Sequence, residues 1–448
     1  MASASAPTPP RPPLAPRALP ILGHSLALVS DPLAWLRECD STEPVRTVRT
    51  GTREAFLVCH PELVHRMLVT HVDAFDKGGP FFSRVRELLG DGLASASHSD
   101  HQKQRRIVQP AFASDHLARY EQAFREESEA LTASWQPGET VDLLADAQAM
   151  MTRVLCRTVV PGIESAEAAL IAAQFPVLIA GLFTRTVVPY RWINSLPTPG
   201  NRRFSRARDG VWAAADRIVA AARTDPEAEG MLAALVAASA DNPDLAITDE
   251  NLRHQIGTFF LAGIETTASL VAWTFFLLTG HPAVEQRLYG EIDAAPEAST
   301  RRPGGLRGLP HLRNVLTEAL RLYPPVPMLT RASTAQVTLD RYTFPPGTDF
   351  YFSAYQLQHD ESVFAEAERF LPDRWNAPPT AAQRQAFIPF VAGKRKCIGD
   401  TFALTAATHL VAAICTRWRL RARPGSTVRP VMRASLTPAG LRLIAEAR

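Results

Sequence analysis

Residues 248–278 are the longest stretch of this chain that reads as one regular element. Thr248 followed by Asp249 and Glu250 has the chemistry of a helix N-cap with an acidic first turn, and Gly280-His281-Pro282 supplies the stop. The residues between make a rod of roughly 45 Å, long enough to cross the whole molecule, so the remaining helices must be laid around it. Its middle, Phe259-Phe260-Leu261-Ala262-Gly263-Ile264-Glu265-Thr266-Thr267-Ala268, is mostly apolar. A carboxylate in such a run is costly unless it is paired or used. Gly263 costs ~1 kcal/mol against alanine, and Thr266 can bond back to the carbonyl four residues earlier. Together they predict a local groove with an acid and an alcohol beside it. The same residues also suit a core helix whose glutamate emerges at one edge.

Composition narrows the class. A chain of 448 residues with 46% hydrophobic content has ample material for a large core. The net charge of +3 is spread along the chain, which argues against nucleic-acid binding. Cys39, Cys59, Cys156, Cys397 and Cys415 are sparse and odd in number, with no C-x-x-C. That fits a reducing, cytoplasmic compartment and excludes a disulfide framework or a cysteine-rich zinc site. No signal peptide or membrane anchor is visible.

In chain order, residues 1–18 read as a flexible, Pro-rich arm, and 19–448 as one mainly helical domain with minor sheet, since no linker divides it. Residues 45–50 and 54–59 alternate like two strands joined at Gly51, and His60-Pro61 opens a short helix. Turn clusters punctuate the Ala/Leu-rich middle at 136–138, 161–164, 197–200 and 241–244. Strands return near 335–355. At the C-terminus, Val428–Leu436 and Leu441–Ala445 are expected to flank a turn at Thr437-Pro438-Ala439-Gly440.

Three short motifs carry chemistry. In Phe390-Val391-Ala392-Gly393-Lys394-Arg395-Lys396-Cys397-Ile398-Gly399 a single cysteine sits in a glycine-bounded, cationic loop just before a helix start at Asp400. A helix N-terminus favours a thiolate. Gly393 and Gly399 let the backbone turn tightly and approach something flat, and Phe390 can shield the sulfur. Taken alone, Cys397 reads as a buried structural cysteine. His101 and Arg105 are i,i+4 neighbours on one helix face and can clamp a carboxylate, or simply form a solvated basic surface. Glu-x-x-Arg occurs four times, and only Glu318/Arg321 lies in an apolar helix, followed by Tyr323-Pro324-Pro325.

The Phe390–Gly399 loop reproduces in full the haem-binding signature F-x-x-G-x-R-x-C-x-G, and the chain thereby resembles the cytochrome P450 family. The likeness covers nearly the whole length. It implies the P450 fold, with a haem buried between the long central helix and the Cys loop. Carried over to this sequence, Cys397 ligates the iron of haem b, and Gly399 and Phe390 flank the sulfur. His101, Arg105, Arg331 and Arg395 neutralise the propionates. Ala262 and Gly263 sit over the haem, with Glu265 and Thr266 as the proton-handling pair for O2. Glu318 and Arg321, with Arg374 of Pro372-Asp373-Arg374-Trp375, form a structural triad that braces the Cys loop. The implied reaction is insertion of one oxygen atom from O2 into a hydrophobic small molecule.

No flavin module follows the haem region, so electrons from NAD(P)H are expected through a ferredoxin and its reductase. Lys103, Arg106, Lys394 and Lys396 could present a basic surface to the ferredoxin, or be ordinary solvated cations. Phe81, Phe82, Phe259, Phe260, Val326, Met328 and Leu329 are the candidate pocket residues, though large apolar side chains are also normal core. The closest likeness is to actinobacterial enzymes that oxidise cyclised sesquiterpenes, of the pentalenene and epi-isozizaene oxygenase kind. It is carried by Leu19–His24, Arg105–Phe112, Val187-Val188-Pro189, Leu196–Phe204 and the haem loop. A polyketide, macrolide or fatty-acid hydroxylase would share every motif. A peroxide-using haem enzyme or a haem sensor would not need Glu265-Thr266.

Overall fold

The computed structural model describes residues 10–159, 165–187, 191–224, 229–240, 247–296, 304, 308–432 and 435–448. Residues 1–9 of the expected arm, the turns at 161–164 and 241–244, and Val188-Pro189 lie outside them. The chain is mainly helical with small sheets. It divides into two compact units, each assembled from separate stretches.

One unit comprises Met1–Phe81, Pro327–Arg369 and Pro379–Cys397. Its centre is a five-stranded sheet in the order Val45–Thr50, Arg53–Val58, Asp349–Phe352, Leu329–Ser333, Phe75–Asp76. The first two strands form the expected hairpin, Val45 opposite Val58, turning at Gly51 with φ 59°. Phe56 and Phe350 are neighbours across the parallel pairing, and Phe75 meets Phe350 edge-on at 5.6 Å. The arm departs from expectation. Thr47 donates its N–H to Pro13 O at 2.7 Å and its hydroxyl to Pro12 O at 2.7 Å, and the Ala15 N–H reaches Thr47 O at 2.9 Å. The exposed edge of the hairpin offers unpaired backbone groups, and residues 12–15 satisfy them.

The other unit comprises Phe82–Val326, Phe370–Pro378 and Ile398–Arg448. Its axis is the helix Asp249–Thr279, 31 residues or about 46 Å. Thr248 caps it, its side chain accepting the Asn251 N–H at 3.1 Å. The helices Leu143–Val159, Pro199–Thr224, Pro310–Leu322 and Asp400–Arg417 pack on it. Among the described residues it alone is long and apolar enough to cross a membrane, and 67% of its apolar window is buried inside the fold.

The C-terminal strands differ from the sequence expectation. Arg429–Met432 pairs antiparallel with Leu436–Ala439, so Thr437 to Ala439 are strand and only Gly440, at φ 82°, turns. Pro430 stands opposite Pro438. A directly opposed pair of prolines leaves the ladder intact only where both missing N–H groups would face away from the partner strand, as an edge strand allows. Ser269 and Trp273 of the long helix both donate to Leu436 O, the indole at 2.9 Å. Leu443–Ala447 instead pairs with Trp418–Ala422 and Thr140–Val141.

Glu318 and Arg321 are wholly buried. Arg321 donates Nε and Nη2 to the carboxylate at 2.9 and 2.8 Å. Trp375 Nε1 at 2.9 Å, the Leu371 N–H at 3.1 Å and Arg374 Nε at 3.5 Å complete the shell. Such a pair is held by its completeness, because removing one partner strands a buried charge. Glu318→Gln should therefore cost about 3–5 kcal/mol in urea denaturation of the apoprotein. A loss below about 1 kcal/mol, as for an exposed pair, would show that the carboxylate is not the brace.

Candidate active site

Of the five cysteines, four are buried and Cys397 is exposed. Burial pushes the Cys39 and Cys156 thiols up to about 12 and the Cys59 and Cys415 thiols higher still. None of these four offers a thiolate near neutral pH, which leaves Cys397 as the accessible sulfur.

The Cys397 loop is built within the first unit. The Cys397 N–H closes on Phe390 O at 2.9 Å, and the turn Gly393–Arg395 is capped by the Lys396 N–H on Gly393 O at 3.0 Å. Gly393 has φ 69°, and a Cβ there would lie 2.0 Å from Leu68 O. Only glycine fits that approach. Val391 also has a positive φ, 60°. For a β-branched residue that is a strained conformation, of the kind found at ligand sites, and nothing in the local sequence signals it. The expectation for Gly399 is corrected. Its φ is −93°, outside the left-handed region, so the tight turn expected of it is not there, and within the protein a Cβ would meet only Phe112 Cε1, at 3.7 Å. Phe390 is half-buried.

Behind the loop the same unit gathers positive charge. Arg395 pairs with Asp76, and Lys394 Nζ with Asp73 at 2.9 Å. Arg331, on the strand Leu329–Ser333, is only 4% exposed. It donates to Thr330 O at 2.8 Å and lies over the Phe352 ring at 5.4 Å. Among the described residues it makes no ion pair. Burial, reinforced by the nearby Arg395 and only partly offset by Asp76, pushes its guanidinium down to about 10. Burial likewise lowers Arg395. A buried cation without its own carboxylate is costly. The arrangement therefore calls for an anionic group.

In the second unit the middle of the long helix breaks the burial on either side of it. Phe259 and Phe260 before it and Thr267 to Val271 after it are buried, whereas Ala262 is exposed and Gly263, Glu265 and Thr266 are half-buried. Thr266 Oγ1 donates to Ala262 O at 2.6 Å, the backbone bond anticipated from the sequence. Gly263 admits close packing, since a Cβ would sit 3.0 Å from Leu155 Cδ1. His101 and Arg105 lie on the helix His98–Val108, His101 buried and Arg105 half-buried with Nε on Gln109 Oε1 at 3.3 Å. That helix is tied to the long helix by a buried pair missed from the sequence. Gln255 Nε2 donates to Gln104 Oε1 at 2.9 Å, Gln255 Oε1 accepts the Leu93 N–H at 3.1 Å, and Gln104 Nε2 reaches Asp91 O at 2.6 Å. Two glutamines far apart in sequence give no local signal.

The apolar residues singled out from sequence divide between the units. Phe81, Met328 and Leu329 are half-buried in the first. In the second, Val326 is half-buried, Phe82 is buried, Phe259 meets Phe112 edge-on at 5.8 Å, and Phe260 packs on Phe175 at 5.7 Å deep in the core.

Comparison with known proteins gives a coherent answer. The family model described as Cytochrome P450 matches residues 12–444. The chain is 39% identical over 417 residues, 92% of its length and 90% of the relative's, to a protein named Cyclooctat-9-en-7-ol 5-monooxygenase from Streptomyces melanosporofaciens. It is 36% identical over 441 residues to Cyclooctatin synthase of the same organism, covering 97% of this chain and 95% of that one. It is also 36% identical over 441 residues to Pentalenene oxygenase of Streptomyces avermitilis, covering 97% of each. The chain belongs to the cytochrome P450 family and is a P450 monooxygenase. Membership implies a haem-thiolate iron and use of O2.

The charge of Arg331 gives a direct test of what this region holds. Its value lies below that of a free arginine, so the charged form is penalised in the fold at every pH below about 10. The penalty is constant across neutral pH. Arg331→Met should raise the melting temperature of the apoprotein by about 2–4 °C while lowering haem retention at least about tenfold. A variant that melts lower and holds haem unchanged would remove Arg331 from the cofactor's surroundings.

Proposed function

We propose that this protein inserts one oxygen atom of O2 into a hydrophobic cyclic terpenoid, a sesquiterpene or a related skeleton, using haem b. The observation that carries the substrate class is the 36–39% identity, over more than nine-tenths of the chain, to relatives named for oxidation of pentalenene and of a cyclooctatenol.

When bound, the haem supplies O2 activation at a thiolate-ligated iron. The residues of this chain then have distinct tasks. Cys397 holds the iron through its sulfur, Phe390 shields that sulfur, and the N–H groups at Ile398 and Gly399 tune it. Arg331 and Arg395, with His101 and Arg105, pair with the two propionates. The fit rests on Arg331, a buried guanidinium with no ion pair among the described residues. Ala262 and Gly263 keep the long helix slim where it faces the cofactor. Glu265 and Thr266 carry protons toward the site of oxidation, Thr266 being oriented by its bond to Ala262 O. The apolar residues named from the sequence supply the substrate contacts, and no charged anchor stands among them. Glu318, Arg321 and Arg374 are structural.

Electrons come from NAD(P)H through a ferredoxin reductase and a ferredoxin in the cytoplasm. Lys103, Arg106, Lys394 and Lys396 are all exposed and are the proposed contacts for an acidic ferredoxin, Lys394 while paired with Asp73.

The substrate reading is tested by a binding-spectrum screen of the ferric haem protein with cyclic terpenes, terpene alcohols, fatty acids and macrolactones. A spin-state shift with the terpenoids, at least about tenfold tighter than with the other classes, is the expected outcome. A shift confined to fatty acids or macrolactones would overturn it.

A further inference from the structure

The segment 90–97 joins the helix Gly79–Leu89 to the helix His98–Val108 and rests on the long helix Asp249–Thr279. Two glycines make the approach close. Gly90 has φ 69°, and a Cβ there would fall 2.0 Å from His254 Nε2. At Gly92 a Cβ would fall 2.1 Å from Thr258 Oγ1 and 2.6 Å from His254 O. Two hydrogen bonds add to the hold, the Leu93 N–H on Gln255 Oε1 and Gln104 Nε2 on Asp91 O. All of these contacting residues belong to the second unit. Of the contacts, the one made by His254 rests on a side chain whose charge can change near neutral pH.

The surroundings of His254 suit the neutral ring. Its side chain is 12% exposed, and its Nδ1 is buried with no hydrogen-bond partner among the described residues. Trp212, from the helix Pro199–Thr224, meets the ring edge-on at 5.9 Å. Glu250 Oε1 stands 3.8 Å from Nε2, too far for a hydrogen bond, and that carboxylate is largely in solvent. The other acids close by have cations of their own. Asp91 pairs with Arg86 Nε at 2.8 Å, and Asp216 with Arg253 Nη1 at 3.3 Å. Protonation would place a second N–H in a buried position with no acceptor. Burial accordingly holds the imidazole below its ordinary range. Glu250 and Asp91 favour the cation and Arg253 opposes it. The packed arrangement is therefore at full strength above about pH 6.5 and weakens as the pH falls below it.

We infer that His254 is an acid-sensitive catch that holds the segment 90–97 on the long helix when neutral and releases it when charged. The geometry supplies the coupling. A charged ring must reach water, and Gly90 leaves it no room to turn while the segment stays seated. The segment therefore lifts as the ring charges. Thr258, uncovered by the same movement, lies one turn before Ala262, so what opens is the flank of the long helix beside its half-buried middle. The segment also leads directly into the helix that carries His101 and Arg105. A histidine that served packing alone would hold the segment equally at either pH. The inference depends neither on which substrate is oxidised nor on which residues meet the cofactor.

The test is amide hydrogen exchange of the full-length holoprotein at pH 7.5 and 5.5, with rates normalised for the intrinsic pH dependence of exchange. In the parent, the amides of residues 90–97 should be about tenfold less protected at the lower pH, the change expected when a released imidazole titrates normally and a seated one does not. The core helix Leu143–Val159 should keep its protection. His254→Phe, which fills the ring's place without a titrating nitrogen, should protect the segment equally at both pH values, and so should His254→Gln. Equal protection of the parent at both pH values would overturn the inference. So would a loss in the parent that persists in both variants, which would assign it to another group such as His98 or His101. A loss shared by Leu143–Val159 would make it general acid unfolding, and variants already unprotected at pH 7.5 would make His254 a packing residue. Either result would also overturn the inference.

Discussion

The conformation of the Phe390–Cys397 loop is the constraint on which the site depends. A single hydrogen bond, Cys397 N–H to Phe390 O, closes it, and two residues in the left-handed region, Val391 and Gly393, give it its path. Gly393 is irreplaceable there because the Leu68 carbonyl occupies the space a side chain would take. The result is one exposed sulfur in a chain whose other four cysteines are buried and held as thiols. A strained valine in a loop that only glycine can complete is a cost to folding. It makes sense where the loop must present a sulfur to a flat, rigid partner.

Charge supports the same reading from a separate direction. The unit that contains this loop also buries Arg331, paired with no acid among the described residues, beside an Arg395 that shares Asp76. Burial thus opposes the charge of Arg331, a cost that an anion beside it would offset. In the other unit the long helix keeps its central Ala262 open and its Thr266 hydroxyl fixed on backbone, between segments that are otherwise fully buried. Glu318, by contrast, is saturated with donors and lies away from water, which fits a brace and not a participant in chemistry.

Much of this was legible in the sequence where the signal is local. The long helix declared its ends through Thr248 and Gly280, and the first hairpin through alternation around Gly51. The ion pair of Glu318 was separable from three other Glu-x-x-Arg copies by its apolar context. What stayed hidden depends on residues distant in sequence. The Pro-rich segment at 12–15 looks flexible until Thr47 presents an open strand edge to it. Pro438 reads as a turn residue until Pro430 is placed opposite it on a ribbon where neither needs an N–H. The Gln104–Gln255 tie and the left-handed Val391 have no local pattern at all, and Gly399, a motif glycine, turns out to lie outside the left-handed region.

The central claim is that the Cys397 sulfur is the ligand to a haem iron. The reduced, carbon monoxide-bound protein, reconstituted with haem b, measures it most directly. The parent should show the Soret band at the position characteristic of thiolate ligation, and Cys397→His should lose that band while still binding haem. A Cys397→His spectrum indistinguishable from the parent's would contradict the account.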